Sequence, residues 1–422
     1  MVCEDHPRWQ GDRARIVQRR KRSFKASQES ELNKLMKMKP AVRYVIVAIA
    51  LYLVSTGLSY GIFKSIKGNR PATVSPIPSG GKFVVDPSLP RTEVCPLNGQ
   101  KFTEQERKIW ETRRPLAVMI ENHAEARPQS GLSYADIVYE TVAEGGITRF
   151  MGVFYCGVAA YNIGLAPVRS ARTYFLDWVS EYDALYNHVG GAGNCSDGTV
   201  DERAKALCQI DKYGIKDMDQ FSIPFPICYR NYDRLDHPVA TEHTMVCFSD
   251  KLYELAAKRK WTNVDEDDVA WDKNYQAWKF KDEAKEGERG TTASISFVHW
   301  AGYEAEYGVQ WNYDSTTNSY KRLNGGQPHL DLETKEQLTA KSIAIQFAKE
   351  TVGVDEHAHL LYGTIGSGKA LVFQDGKVTV GTWKKSSRTA RTLFFDETGK
   401  EIAFNRGQTW IEVVSLDTKV SY

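Results

Sequence analysis

The sequence holds no CxxC pair, no HExxH stretch, no internal repeat and no low-complexity tract. The first absence removes the zinc-ribbon and thioredoxin classes, and the second the common metalloprotease helix. Net charge is almost absent too. With 55 Lys and Arg against 53 Asp and Glu, the chain carries +2, too little for a whole-protein field that draws it onto nucleic acid, and no nucleic-acid partner is expected. What is present, 42% hydrophobic and 11% aromatic residues over 422 positions, fits two globular domains with appendages and excludes a chain disordered throughout.

Charge is unevenly spread. Residues 1–43 carry twelve Lys or Arg against five Asp or Glu, a local +7 that leaves about −5 for the rest. The following run Tyr44–Phe63, YVIVAIALYLVSTGLSYGIF, has no charge and at 1.5 Å per residue spans a bilayer core of about 30 Å. Arg43 before it, Lys64 and Lys67 after it, and Tyr44 and Tyr60 at its edges favour a membrane span over a buried core helix. The basic segment is too long for a cleavable signal peptide, so the run is read as a signal anchor. The expected topology is single-pass in the cell membrane, with residues 1–43 a cytoplasmic tail and everything after residue 63 extracytoplasmic.

Six of the seven cysteines, Cys95, Cys156, Cys195, Cys208, Cys228 and Cys247, then fall outside, where disulfides persist. Six permit fifteen pairings. Cys195 with Cys208 is the first candidate and Cys228 with Cys247 the next; buried free thiols are the alternative.

Residues 64–93, rich in Lys, Gly, Pro and Ser, read as a stalk. Thr103 caps a short helix, Pro115–Ile120 is a strand, Asp136–Val142 and Ile147–Tyr155 form a hairpin across Gly145-Gly146, and Thr173–Tyr182, Asp201–Ile210 and Asp250–Lys260 are helical. Leu185–Val189 is another strand entering the Gly190-Gly191 loop. Charge gathers at 262–290, and short β runs follow at 293–298, 305–311, 342–347, 370–373, 378–383, 401–404 and 409–414. The expected fold is α+β: a mixed α/β domain at 94–270 and a mostly β domain at 271–422, after one transmembrane helix. GTIGSGK at 363–369 has phosphate-loop spacing, but Ala370 stands where Ser or Thr binds Mg²⁺, so it reads as a turn into a strand.

The stretch RRPLAVMIENHAEARPQSGLSYADIVYETVAEGGITRF, then APVRSARTYFLDW, YNHVGG at 186–191, GSGKALVFQDGKVTVGTW and GQTWIEVV, resembles the YerB-like family over most of residues 111–415. The resemblance implies a two-domain extracytoplasmic envelope protein held at the membrane, by a lipid in some members and here by an uncleaved helix. It implies no reaction.

These segments concentrate polar residues that are expensive to bury: Glu121, Asn122, His123, Arg127, Glu140, Glu144, Arg149, Arg169, Ser170, Arg172, His188 and His243. Arginine presents a planar fork of donors that matches phosphate or carboxylate, so Arg127, Arg149, Arg169 and Arg172 suggest an anion pocket, with Arg172 facing the ligand from the first turn of a helix. The competing reading is structural, with Glu140, Glu144 and Asp177 pairing the arginines. Ser170 lies in RSAR and not in a nucleophile elbow, and His123, His188 and His243 lack a local ligand motif, so neither a hydrolase triad nor a metal is expected, and no cofactor. Trp300, Tyr303, Tyr307, Trp311 and Tyr313 form either a sugar-stacking face or a β core. Two functions remain: a module binding an anionic glycan, a phosphate-bearing ligand or an envelope protein partner, or an enzyme in which Glu121, Glu140, Glu144 or His188 does acid–base work beside the arginines.

Overall fold

The computed structural model describes residues 85, 86 and 88–422, which lie within one compact unit, Ser75–Tyr422. The tail, the Tyr44–Phe63 run and nearly all of the stalk lie outside the described residues. Among the described residues, no helix is long and apolar enough to cross a membrane.

Ten strands in one mixed sheet organise the fold: β1 (Leu116–Glu121), β2 (Ile137–Glu144), β3 (Ile147–Phe154), β4 (Leu185–His188), β5 (Lys216–Asp219), β6 (Ser342–Ala348), β7 (Gly366–Gln374), β8 (Lys377–Lys385), β9 (Leu393–Asp396) and β10 (Thr409–Ser415). Their order is β9-β8-β7-β6-β10-β2-β3-β1-β4-β5. The run LAVMIE forms β1 because it is buried on both faces, Ala117 and Met119 entering one core and Leu116, Val118 and Ile120 the other.

Residues 94–270 and 271–422 meet inside this sheet. β10 pairs in parallel with β2, setting Glu412 against Glu140, so the strands on either side of the 262–290 segment share one hydrogen-bonded ladder. A separate antiparallel group, Ser294–Phe297, Val309–Asp314 and Ser319–Asn324, packs Ile295, Trp311 and Tyr320 into the second core. The fold is mixed, with few helices and a mostly β second region.

Local chemistry explains the individual elements. Thr103 and Glu106 form a reciprocal capping box on the helix Glu104–Trp110. The β2–β3 hairpin turns at Gly145 and Gly146, both at positive φ, and a Cβ on Gly146 would lie 2.6 Å from the Tyr303 ring. Gly366–Lys369 begins strand β7, as expected of a turn leading into a strand.

Three sequence expectations need correction. The helix placed at 201–210 runs Ala206–Tyr213, because the Asp201 carboxylate accepts from the Arg203 amide and holds the chain in a turn first. The strand placed at 305–311 begins as a helical turn, Glu304–Tyr307, before Val309. The run at 401–404 is no continuous strand: Glu401 makes a single bridge to Phe395, and strand pairing follows at Phe404–Asn405, against Phe280–Lys281. All six cysteines pair: Cys195–Cys208 and Cys228–Cys247 as anticipated, and Cys95–Cys156 in addition. Cys228 and Cys247 face each other across neighbouring antiparallel strands.

Candidate functional site

β1 ends at Glu121, whose register partner on β3 is Arg149. The chain then turns through His123 into a short 3₁₀ turn, Ala124–Ala126, which the His123 ring caps by accepting from the Glu125 amide at Nδ1 (3.3 Å). A second 3₁₀ turn, Thr241–His243, delivers His243 from the far side just before the strand Met245–Phe248. The β2–β3 hairpin places Glu144 beside Arg149. These pieces enclose a cleft of about 350 Å³ lined by Glu121, His123, Glu125, Glu144, Arg149, Arg169, Glu242 and His243, with Ile147, Thr148 and Ala240.

Glu121 is the hub. One carboxylate oxygen accepts from His243 Nδ1 at 2.7 Å, and the other lies 2.9 Å from Arg169 Nε. Glu121 and His243 are both buried, whereas the Arg169 side chain is 25% exposed. His123 stacks on His243 with ring centroids 4.7 Å apart. Arg149 donates to the Ser170 carbonyl (2.8 Å) and to Glu144 (3.1 Å), and Arg172 donates to the Ala171 carbonyl and to Glu144. Burial pushes the Glu144 carboxyl up, but Arg172 and Arg149 outweigh it and hold it at about 2. Burial and then the like charge of Arg172 lower the Arg149 guanidinium to about 10. Arg149 and Arg172 thus share the single Glu144 carboxylate. Formally, four carboxylates on the cleft wall face two guanidinium groups, Arg149 and Arg169.

Six of the residues singled out from sequence therefore line one cleft: Glu121, His123, Glu144, Arg149, Arg169 and His243. The others are elsewhere. Arg172 sits at the N-cap of helix Thr173–Val179, but its side chain turns to Glu144 and a carbonyl and does not line the cleft. Ser170 supplies the carbonyl that accepts from Arg149. His188 is a satisfied core histidine, bonded to the Gly190 carbonyl (2.8 Å) and to Asp217 (2.9 Å). Asp177 accepts from Thr364 and, among the described residues, makes no ion pair with an arginine.

Asn122, Arg127 and Glu140 point the other way, into the junction of the two regions. Arg127 donates to the Glu306 carbonyl (2.7 Å) and lies over the Tyr307 ring, while Asn122 accepts from Asn324 (2.7 Å). Glu140 and Glu412 share the fully buried Arg322, at 2.5 and 2.9 Å. Burial pushes the Glu140 carboxyl up, but Arg322 outweighs it and holds it below the usual range. Burial and the facing Glu140 push Glu412 well above. Arg322 also donates to His329, whose other nitrogen bonds Gln129 (2.7 Å). Trp311 donates to Glu412 and packs on Trp410, so the expected aromatic face is in part core, with Tyr307 buried beside it.

Sequence reasoning missed Glu125 and Glu242 on the cleft and Arg322, His329 and Glu412 in the junction. Glu125 stood inside the ENHAEAR segment, between residues already chosen. Arg322 had no signal, because its importance comes from a strand more than 180 positions from Glu140.

A long mixed sheet shared by two sequence regions, with a carboxylate- and arginine-lined cleft at the end of β1 and β3, defines a two-part β-rich protein. Residues 98–262 match the N-terminal domain, and residues 298–411 the C-terminal domain, of the family described as protein of unknown function DUF3048. The chain belongs to this family. It is 30% identical over 328 residues, 76% of this chain and 86% of the relative, to a protein of Bacillus subtilis (strain 168) described as "Putative lipoprotein YerB". The crystal structure of the YerB protein from Bacillus subtilis superposes with a TM-score of 0.62 at 28% identity, covering 78% of this chain and all of that one.

Proposed function

We propose that the protein is a cell-envelope binding module, held to the membrane by the apolar Tyr44–Phe63 run with its N-terminus in the cytoplasm, whose cleft takes an anionic, phosphate- or carboxylate-bearing glycan. The membrane reading is supported by the basic tail and uncharged run, and by the description of the relative as a lipoprotein, which marks a membrane-attached protein with a different anchor. Three disulfides suit an oxidising compartment.

The observation that carries the ligand class is the mixed cleft wall, in which partly exposed Arg169 lies among four carboxylates. Carboxylates accept from sugar hydroxyls, and a guanidinium takes the acidic substituent bidentately. A neutral glycan would leave Arg169 unused, and a bare phosphate would meet the carboxylates. The full-length protein in detergent, screened by thermal shift against acidic wall glycans, neutral glycans and inorganic phosphate, should be stabilised by the acidic glycans, with the shift lost in Arg169→Ala. Stabilisation by none of them, in a protein that still unfolds cooperatively, would turn the assignment to an envelope protein partner.

One observation favours a second reading, an enzyme acting on a phosphate-bearing glycan or lipid-linked precursor. The Glu121–His243 pair fixes the ring through Nδ1 and leaves Nε2 on the side of Glu125, an arrangement suited to a general base. Turnover of such a substrate, lost in His243→Gln while binding persists, would select it.

A further inference from the structure

We propose that His123, Glu125 and His243 form a site for one divalent transition metal of the zinc class, with a remaining coordination position open to the cleft. Each residue offers one ligand atom, and the three atoms lie within 4.8 Å of one another. A tetrahedral ion bound at about 2.0–2.1 Å to nitrogen and oxygen sets its ligand atoms roughly 3.4 Å apart. His243 Nε2 and Glu125 Oε2 are already 3.7 Å apart.

The surroundings of His243 are those of a metal ligand. A carboxylate can only accept, so the 2.7 Å contact to Glu121 puts a ring hydrogen on Nδ1, and Nε2 faces the Glu125 carboxylate across 3.7 Å. A metal ion between those two atoms would be held by both. Glu121 is in turn pinned by Arg169 at 2.9 Å, which gives the outer carboxylate–imidazole support that orients a ligating histidine. Glu125 is 65% exposed and makes no closer ion pair among the described residues. His123 is the movable member. Its ring stacks nearly parallel to His243, at 15°. Binding the ion would require this partly exposed side chain to turn, at the cost of that stacking and of a 3.3 Å cap.

Two other groups of potential ligands among the described residues fail this test. Cys95 and Cys156 are joined in a disulfide beside Asp136, and Glu140, His299 and Glu412 already have Arg322 as their cation. Two imidazoles and a carboxylate suit zinc and its neighbours, whereas magnesium and calcium require oxygen-rich sets. A divalent ion would also offset the negative charge of the cleft wall, where four carboxylates face Arg149 and Arg169, and Arg172 bonds Glu144 from outside the cleft.

The test uses the full-length protein in detergent, stripped with chelator and titrated with zinc(II) against a chromophoric competitor, and with cobalt(II) followed by its visible absorption. One equivalent of zinc should bind, with affinity at least tenfold lower in His123→Gln and in Glu125→Gln, each first checked for parent-like cooperative unfolding; Glu125 is the exposed one of the two. His357→Gln, at an exposed histidine elsewhere, should bind like the parent. Binding of less than one equivalent, or one equivalent held equally well by His123→Gln and Glu125→Gln, would overturn the site. Equal affinity for magnesium would overturn the assignment to nitrogen ligands. No glycan enters the titration, so its outcome is independent of the proposed glycan ligand.

Discussion

The cleft and the junction are built from the same side chains and behave in opposite ways. At the cleft, each pair joins a buried group to one that water reaches: Arg149 to Glu144, whose side chain is 40% exposed, and Glu121 to Arg169, 25% exposed. At the junction, Glu140, Glu412 and Arg322 are wholly enclosed. A charge pair at the rim is screened and exchanges partners readily, so a ligand can compete for it. An enclosed pair can be broken only by leaving a charge without water, and that fastens the second region to the first. Glu-and-Arg richness alone therefore does not mark a binding site; access to solvent separates the two uses.

The largest effect that would test this contrast is Arg322→Met. It leaves the buried Glu140 carboxylate uncompensated, and the expected loss is about 3–5 kcal/mol in urea unfolding. A loss below about 1 kcal/mol would mean that the junction is wet and not distinct from the cleft.

The next separates the two junction carboxylates. Arg322 holds the Glu140 carboxyl below its ordinary range, whereas burial and the facing Glu140 push Glu412 well above it. Glu140→Gln should therefore cost more, about 3 kcal/mol, than Glu412→Gln, at about 1 kcal/mol. Equal losses would show that the charge is shared evenly across the pair.

At the cleft, Arg169→Ala should lower stability by only about 1 kcal/mol, because Glu121 keeps its bond to His243 and the guanidinium is partly solvated. Its main effect should appear in ligand binding. A loss matching that of Arg322→Met would class Arg169 with the junction.

The smallest effect is in acid. The Glu144 carboxyl is held at about 2 in the fold, below its ordinary 4.5, so it contributes stability above pH 4.5 that is lost as pH falls from about 4.5 towards 2. The slope should be shallow, since the side chain is 40% exposed and screened, and Glu144→Gln should flatten it in chemical denaturation run across that pH range. An unchanged slope would assign the acid sensitivity to other carboxylates.

Much of the architecture was legible locally. The all-apolar LAVMIE run, the Gly145-Gly146 hairpin, the Thr103 cap and the Asp375-Gly376 turn between β7 and β8 each follow from side-chain spacing or backbone preference within a few residues. Two of the three misplaced elements, 201–210 and 305–311, are those where a side chain or a turn diverted the backbone at the start of a periodic run. Half of the chosen polar residues reached the cleft. The rest did not, because Glu121 and Glu140 look alike in sequence, and only the strand beside each one tells them apart.

The sequence by itself determined where charge, apolar length and strand periodicity lie, since these depend on near neighbours. The joining of the two regions through β2 and β10, the meeting of Glu140 with an arginine from a remote strand, and the approach of His123 and His243 from turns 120 positions apart were decided by tertiary structure alone. The reason is physical: sheet pairing brings together residues whose separation along the chain carries no information about their distance in space.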